Sequence, residues 1–238
     1  VVTIPYELYE FFSLWGKEDE KEITADIEED ISFLMEQGFL TEKKKISSIK
    51  HYETDTLKDL YMYNMGNVIL QVTQNCNLRC EYCVYSGSYI NRVHTNKRMS
   101  FETAVKTIDF LAAHSLNCNE VSIGFYGGEP LLEIELIKKA VSYAKEVFGE
   151  KKVNFNMTTN ATLLNMDIAD FLVQNDFNIT ISLDGPRNIH NKNRIFANSN
   201  KGTFDLIMEN IALIREKYPF FDKKISFNAV IDLSLIHI

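Results

Sequence analysis

Three cysteines fall within eight residues, Cys76, Cys80 and Cys83, in the spacing C-x3-C-x2-C. Thiolates are soft ligands suited to zinc or to iron–sulfur clusters. A structural zinc site usually takes four ligands in two paired knuckles, and the sequence offers no second knuckle. Cys118 stands just before the next apolar run and reads as a small hydrophobe. A disulfide among the three does not suit a reducing compartment. Three thiolates on a four-iron cluster leave one iron open to an external ligand, an asymmetry that favours chemistry over electron storage.

Other polar and glycine-rich clusters follow apolar, β-branched runs in the same way. The runs are Val68–Val72, Val121–Tyr126, Val153–Met157, Ile179–Leu183 and Ile225–Ile231. The first leads to the cysteines, the second to Gly127-Gly128-Glu129-Pro130, the third to Thr158-Thr159-Asn160 and the fourth to Asp184-Gly185-Pro186. Helical stripes lie between them. Ser100 caps Phe101, Ala104, Ile108 and Leu111; Ile134, Ile137, Val141 and Phe148 end at Gly149; Ile168, Phe171 and Leu172 follow; Phe204, Ile207, Ile211 and Ile214 stop near Pro219. Strands joined by helical crossovers pair in parallel, so the expected class is α/β. All the clusters then share one face, at the C-terminal ends of the strands. A curved, barrel-like sheet converges every strand end, whereas an open doubly wound sheet gathers mainly those beside its switch point.

Taken singly, the members of this set are unremarkable. Gly127-Gly128-Glu129-Pro130 is a turn signal, and Asp184 fixes a loop through an Asx-type bond. Arg194 reads as a surface charge, His190 as a loop residue, and Tyr82, Phe125 and Tyr126 as core or rim aromatics. Convergence on one rim makes them a site.

The chain of 238 residues carries a formal charge of −8, with 45% hydrophobic residues. That excludes low-complexity and disordered classes and fits one large domain with a small appendage. Eight acids against one lysine between Glu18 and Asp30 hold most of the charge. They read as a solvated helix face, and the near-neutral remainder gives no case for nucleic acid. No apolar run approaches the roughly 18 residues of a membrane span, and no secretion signal opens the chain. The expected setting is cytoplasmic, with reduced thiols and no membrane partner. Residues 1–60 read as mostly helical: a short helix around Tyr6–Leu14, then a stripe of Ile23, Ile27, Ile31, Leu34 and Met35, capped by Gly38 with Phe39 and Leu40 folding back. Residues 41–64 read as a linker into a main domain over 65–238.

The two ordered motifs, C-x3-C-x2-C with Tyr82 and then Gly127-Gly128-Glu129-Pro130, resemble those of the radical S-adenosylmethionine (radical SAM) superfamily. Ser182-Leu183-Asp184-Gly185-Pro186, followed by His190 to Arg194, is similar to its peptide- and protein-modifying branch, which includes thioether peptide maturases and anaerobic sulfatase-maturating enzymes. The resemblance covers roughly 65–231. It implies a partial (β/α)6 TIM-like barrel, of which about five strands are present, preceded by the small helical segment. Cys76, Cys80 and Cys83 would ligate a [4Fe-4S] cluster whose fourth iron takes the amine and carboxylate of S-adenosylmethionine. Gly127, Gly128 and Glu129 would offer backbone and side-chain acceptors to the cofactor amine, and Tyr82 would lie against the adenine. Ser182 would meet the ribose and Arg194 the methionyl carboxylate, a role for which guanidinium is suited. Asn160 is a further cofactor contact.

The implied chemistry is one-electron cleavage of the sulfonium, giving methionine and a 5′-deoxyadenosyl radical that removes a substrate hydrogen atom. It implies an anaerobic setting, an external donor such as flavodoxin or ferredoxin, and a precursor peptide as substrate. The first reading is thioether or related crosslinking of a ribosomally made peptide. The alternatives are formylglycine formation by a sulfatase-type maturase and a non-catalytic peptide-binding module with a structural metal. The run Leu34 to Leu40 resembles the helices of a winged-helix-like leader-peptide module, with a helical cap on the barrel as the plainer reading. The start at Val1, the count of five strands and the lack of cysteines after Cys118 lead us to expect a piece of a longer enzyme.

Overall fold

The computed structural model describes residues 3–15, 22–40, 50–89 and 92–231. The chain divides into two units, Val1–Thr54 and Asp55–Ile238. In the first, α1 (Tyr6–Leu14) and α2 (Ala25–Glu36) bury Leu8, Phe11, Ile27 and Leu34 against one another. The Thr24 hydroxyl caps α2, accepting from the Ile27 N–H at 3.4 Å, and Asp26 and Glu28 lie in the first turn, where the helix dipole favours negative charge. Glu22, Asp26, Glu28 and Glu29 are exposed, while Glu18 to Lys21 lie outside the described residues. The buried stripe is narrower than expected: Ile23 precedes the cap and Met35 is off the seam, so both are more than half exposed. Gly38 takes φ +84° and its N–H bonds back to Met35. Phe39 and Leu40 stay nearly half exposed, and the reversal carries a second backbone bond from the Phe39 N–H to the Leu34 carbonyl.

The expected linker holds an element of its own. Residues 41–49 lie outside the described ones, but Tyr52–Asp55 form a 3-10 turn and α3 (Leu57–Tyr63) follows. It docks on the end of α4 (Phe101–His114), with His114 Nδ1 3.1 Å from the Tyr61 carbonyl and the Met65 N–H on the His114 carbonyl at 2.9 Å. Seven residues are too few to display a helical period.

In the second unit, β1 (Asn67–Thr73) leads into the cysteine loop and a two-stranded ribbon of β2 (Ser86–Tyr89) and β3 (Arg92–Val93) that the sequence did not announce. Then come α4, β4 (Glu120–Gly127), α5 (Ile134–Phe148), β5 (Lys152–Thr159), α6 (Met166–Gln174), β6 (Asn178–Ser182), α7 (Arg187–Asn193), α8 (Phe204–Lys217) and β7 (Ile225–Asn228). The main sheet runs β1-β4-β5-β6-β7, parallel throughout, with Val68 beside Ile123, Val121 beside Val153 and Ile179 beside Ile225. Strand order never reverses, so right-handed crossovers put the helices on a single face and no switch point arises. This is the winding of a partial TIM-like barrel. The fifth strand ends at Asn228, sooner than expected.

Period-two alternation assigns the two faces. Val121, Ile123 and Phe125 of β4 and Phe155 and Met157 of β5 are buried in the core that includes Ile108, Ile137, Val141, Leu172 and Ile211 of the helices. Phe125, Phe155 and Phe177 stack there, with centroids 5.4 to 6.5 Å apart. The opposite face presents Ser122, Asn156, Thr158, Thr180 and Ser182, and Asn156 Nδ2 donates to Ser122 Oγ at 2.8 Å. An apolar sheet would close and fill its interior with side chains; this polar face suits a hydrated one. Cys118 packs partly buried against the core, as a small hydrophobe does.

Candidate active site

The strand ends enclose a cavity of about 280 Å³. Cys76, Cys80 and Cys83 border it, together with Tyr82, Gly127, Gly128, Asn160, Ser182 and Arg194. Of the residues that the resemblance assigns to the cluster or the cofactor, all but Glu129 are on its wall; Asp184, His190 and Phe125 are not.

Backbone bonds shape the cysteine loop. Asn75 accepts from the Cys76 N–H through its side chain at 2.9 Å, and the Cys83 N–H bonds to the Cys80 carbonyl at 3.1 Å. The loop is stitched to the segment after α7 by Arg79 N–H on the Ile195 carbonyl and Glu81 N–H on the Asn193 carbonyl. The glycine turn closes on it from the other side: Gly128 N–H donates to the Thr73 carbonyl and Glu129 N–H to the Asn75 carbonyl, both at 2.9 Å. A Cβ on Gly127 would lie 2.2 Å from the Thr73 oxygen, and one on Gly128 2.1 Å from that of Asn75. Gly127 also holds φ +144°. The close approach that these glycines permit is thus to the cysteine loop itself.

Glu129 is fully buried and turned away from the cavity. Its carboxylate accepts from Leu131 N–H at 3.0 Å, Thr159 Oγ1 at 2.6 Å and Asn160 N–H at 2.7 Å. Burial pushes its carboxyl above the usual range, opposed by these three bonds. The expectation of a side-chain acceptor for the cofactor amine gives way to a clamp joining the β4 and β5 ends. A buried carboxylate must spend its lone pairs on donors within reach, and those lie behind the wall.

On the far wall, Arg194 Nε donates to Asp184 Oδ2 at 2.9 Å in a pair whose side chains are 10% and 2% exposed. The Tyr82 hydroxyl donates to the same oxygen, Arg194 Cζ lies 5.4 Å from the Tyr82 ring centroid, and Asp184 Oδ1 accepts from Val230 N–H at 3.1 Å. Burial pushes the Asp184 carboxyl up, but its bonds with Arg194 and Tyr82 outweigh this and hold it below its ordinary value. Burial foremost, with the Asp184 bond, raises the Tyr82 phenol.

Each sulfur is met by an N–H donor. Cys76 Sγ accepts from Leu78 N–H at 3.4 Å and Asn160 Nδ2 at 3.8 Å; Cys80 from Arg194 Nη1 at 3.9 Å; Cys83 from Tyr85 N–H at 3.5 Å. Burial pushes the Cys76 thiol up to about 12 and that of Cys80 to about 11, the latter despite the pull of Arg194. Such thiols surrender their protons to a metal, and N–H donors are spent well only on anionic sulfur. The donor set fits a thiolate-bound iron–sulfur cluster.

The sequence left two important residues as loop furniture. Asp184 is the hub of the far wall, and its signal was a carboxylate ten positions before Arg194. His190 is completely buried on α7. Its Nδ1 accepts from Asp184 N–H at 3.3 Å, so Nε2 carries the proton and donates to Thr203 Oγ1 at 2.9 Å. Thr203 in turn donates to the Arg194 carbonyl at 3.2 Å. Burial foremost lowers His190 from 6.5 to about 4, so the ring is neutral.

Residues 70–228 match the family model described as the Radical SAM superfamily. An uncharacterized protein, MJ0907 of Methanocaldococcus jannaschii, is 38% identical over 66% of this chain and 51% of its own length. A cysteine-type anaerobic sulfatase-maturating enzyme of Clostridium novyi is 35% identical over 64% of this chain and 41% of its own. The radical SAM cyclopropyl synthase TigE of Paramaledivibacter caminithermalis is 23% identical over 87% of this chain, more than the second unit alone holds, and 44% of its own. Native anSMEcpe, solved with bound AdoMet and Cp18Cys peptide, aligns at TM-score 0.56 and 29% identity over 69% of this chain and 42% of that one. The chain thus spans about half, or less, of the length of these relatives.

Proposed function

This chain belongs to the radical SAM superfamily, and we propose that it cleaves S-adenosylmethionine reductively at a [4Fe-4S] cluster to modify a peptide side chain. One observation carries the proposal: three thiols, each facing an N–H donor, border the same cavity as the glycine turn, Ser182 and Arg194. When bound, the cluster and S-adenosylmethionine supply a one-electron cleavage that yields a 5′-deoxyadenosyl radical able to abstract a hydrogen atom.

The chain's own residues then have defined tasks. Cys76, Cys80 and Cys83 hold three irons. Asp184 occupies Arg194 Nε and leaves guanidinium N–H groups for a carboxylate. Gly127 and Gly128 present backbone at the cavity wall, Ser182 offers a hydroxyl from the β6 end, and Tyr82 lends its ring. Tyr82 is held by Asp184, so the aromatic surface and the guanidinium are set together. Asn160 stands on this wall, and the buried Glu129 acts behind it. An external one-electron donor of flavodoxin or ferredoxin type completes the cycle.

A peptide substrate is supported by the likeness to anSMEcpe, solved with a peptide. Within that class we favour crosslink formation, thioether or related; the match to TigE, named a cyclopropyl synthase and not a sulfatase maturase, extends beyond the second unit. The 35% identity to the Clostridium novyi sulfatase-maturating enzyme favours a second reading, oxidation of a cysteine or serine to formylglycine. Anaerobic reconstitution of the intact enzyme with iron and sulfide, followed by dithionite and S-adenosylmethionine, tests the core. We expect 5′-deoxyadenosine from the wild type and none from Cys80→Ala; equal turnover would disprove the cluster assignment. Mass analysis of a cysteine-bearing peptide then separates the two readings. A crosslink removes two hydrogens and keeps the sulfur, whereas conversion of cysteine to formylglycine loses the sulfur.

A further inference from the structure

We propose that Asn160 is a positioning residue for the cluster rather than a contact for S-adenosylmethionine: a locked side-chain amide whose N–H is aimed at Cys76 and sets how readily the cluster accepts an electron. The inference rests on the cluster reading above and concerns a part of the wall to which that reading gives no redox role.

The orientation of the amide follows from its neighbours. Asn160 Oδ1 lies 3.0 Å from the Thr162 N–H, which can only donate, so this atom must be the oxygen. The Thr162 hydroxyl donates to the same oxygen at 2.7 Å. A flipped amide would face two donors with its own NH2. Nδ2 therefore points the other way, toward Asn77 Oδ1 at 2.9 Å and Cys76 Sγ at 3.8 Å. Asn77 is fixed in its turn, since its Nδ2 donates to Thr162 Oγ1 at 2.8 Å. Both hydrogens and both lone pairs of the Asn160 amide are used, and none is left for another ligand. The residue is 6% exposed, so the arrangement is shielded from competing water.

The backbone is held independently. The Asn160 N–H donates to Glu129 Oε2, a bond that no side-chain substitution at 160 removes. Side-chain variants can therefore change the donor at Cys76 while leaving the β5 end clamped. Cys80 and Cys83 have other donors, from Arg194 and from the Tyr85 backbone, so Asn160 acts on one sulfur of the three.

A hydrogen bond to a cluster thiolate stabilises the more negative, reduced state and raises the reduction potential. Asn160→Leu keeps the approximate shape and removes the donor. Redox titration of the reconstituted, intact protein, followed by the electron paramagnetic resonance signal of the reduced cluster, is the decisive measurement. At a fixed solution potential we expect the reduced-to-oxidised ratio to fall about fivefold in Asn160→Leu, the scale of one ordinary hydrogen bond. Thr162→Val, which removes one of the two donors that lock the amide, should shift the ratio in the same direction by less. It supplies the result if Asn160→Leu does not retain its cluster. Wild-type ratios in both variants, with clusters intact, would overturn the role of Asn160 and leave the cluster standing. Failure of the wild type itself to build a cluster would overturn the cluster reading and this inference with it.

Discussion

The two walls of the cavity bury a carboxylate each and solve the same problem differently. At the β4–β5 side, Glu129 has no cation partner among the described residues: Leu131, Thr159 and Asn160 satisfy it with three hydrogen bonds, and it reaches the cavity through Thr159 and Asn160. At the β6–α7 side, Asp184 pairs with Arg194, which itself faces Cys80, and His190 with Thr203 braces the backbone of both partners. One wall is a neutral-amide scaffold whose side-chain N–H groups are spent within the protein, on Asn77 and Cys76. The other keeps a cation at the cavity, and so is the wall on which a carboxylate ligand can be bound. The difference teaches that a buried acid next to a thiolate cluster serves either to fix backbone or to aim a guanidinium, according to whether a cation is within reach.

The comparison can be broken from its strongest side. Asp184→Ala leaves Arg194 buried without its partner, and denaturant unfolding should show a loss of about 4 kcal/mol. Binding of S-adenosylmethionine, read by titration calorimetry, should weaken as well. The pH dependence comes next. His190 falls from 6.5 to about 4 in the folded chain, so between those values the unfolded chain binds a proton that the native chain refuses. Its stability contribution is complete above about pH 6.5 and drains away as pH falls toward 4, by on the order of 3 kcal/mol. Melting curves across that window should show a decline in the wild type that is absent in His190→Gln; parallel curves would disprove a buried neutral ring.

On the opposite wall, Glu129→Gln places an NH2 where donors already point, and should cost about 2 kcal/mol by the same unfolding measurement. Its effect on S-adenosylmethionine affinity should be smaller than that of Asp184→Ala, which is what divides the walls. Smallest of all, Thr203→Val removes one link between His190 and the Arg194 carbonyl, with an expected loss near 1 kcal/mol.

Much of this was legible before any coordinates. Runs such as Val121–Tyr126 and Val153–Met157 announced strands because their burial depends on local alternation, and Ser100 announced the start of α4 through a cap within its own turn. The cysteines and the glycine turn stood out because strand ends in a parallel array share a face, whereas Ser182 and Arg194 were expected from the resemblance; the structure puts both beside the cavity. Side-chain direction was not legible. Glu129 was expected at the cofactor and instead turns to Asn160, thirty-one positions on, and Tyr82 spends its hydroxyl on Asp184, more than a hundred away. His190 and α3 were passed over because each is defined by a docking partner outside its own segment.

By itself, then, the sequence determined which ligands this chain can offer and the order in which strands and helices deliver them, since spacing, capping and alternation are properties of neighbours along the chain. Only the tertiary structure decided which of those groups face the cavity and which stand behind it. A buried polar group goes where its hydrogen-bond partners are, and here those partners arrive from other strands.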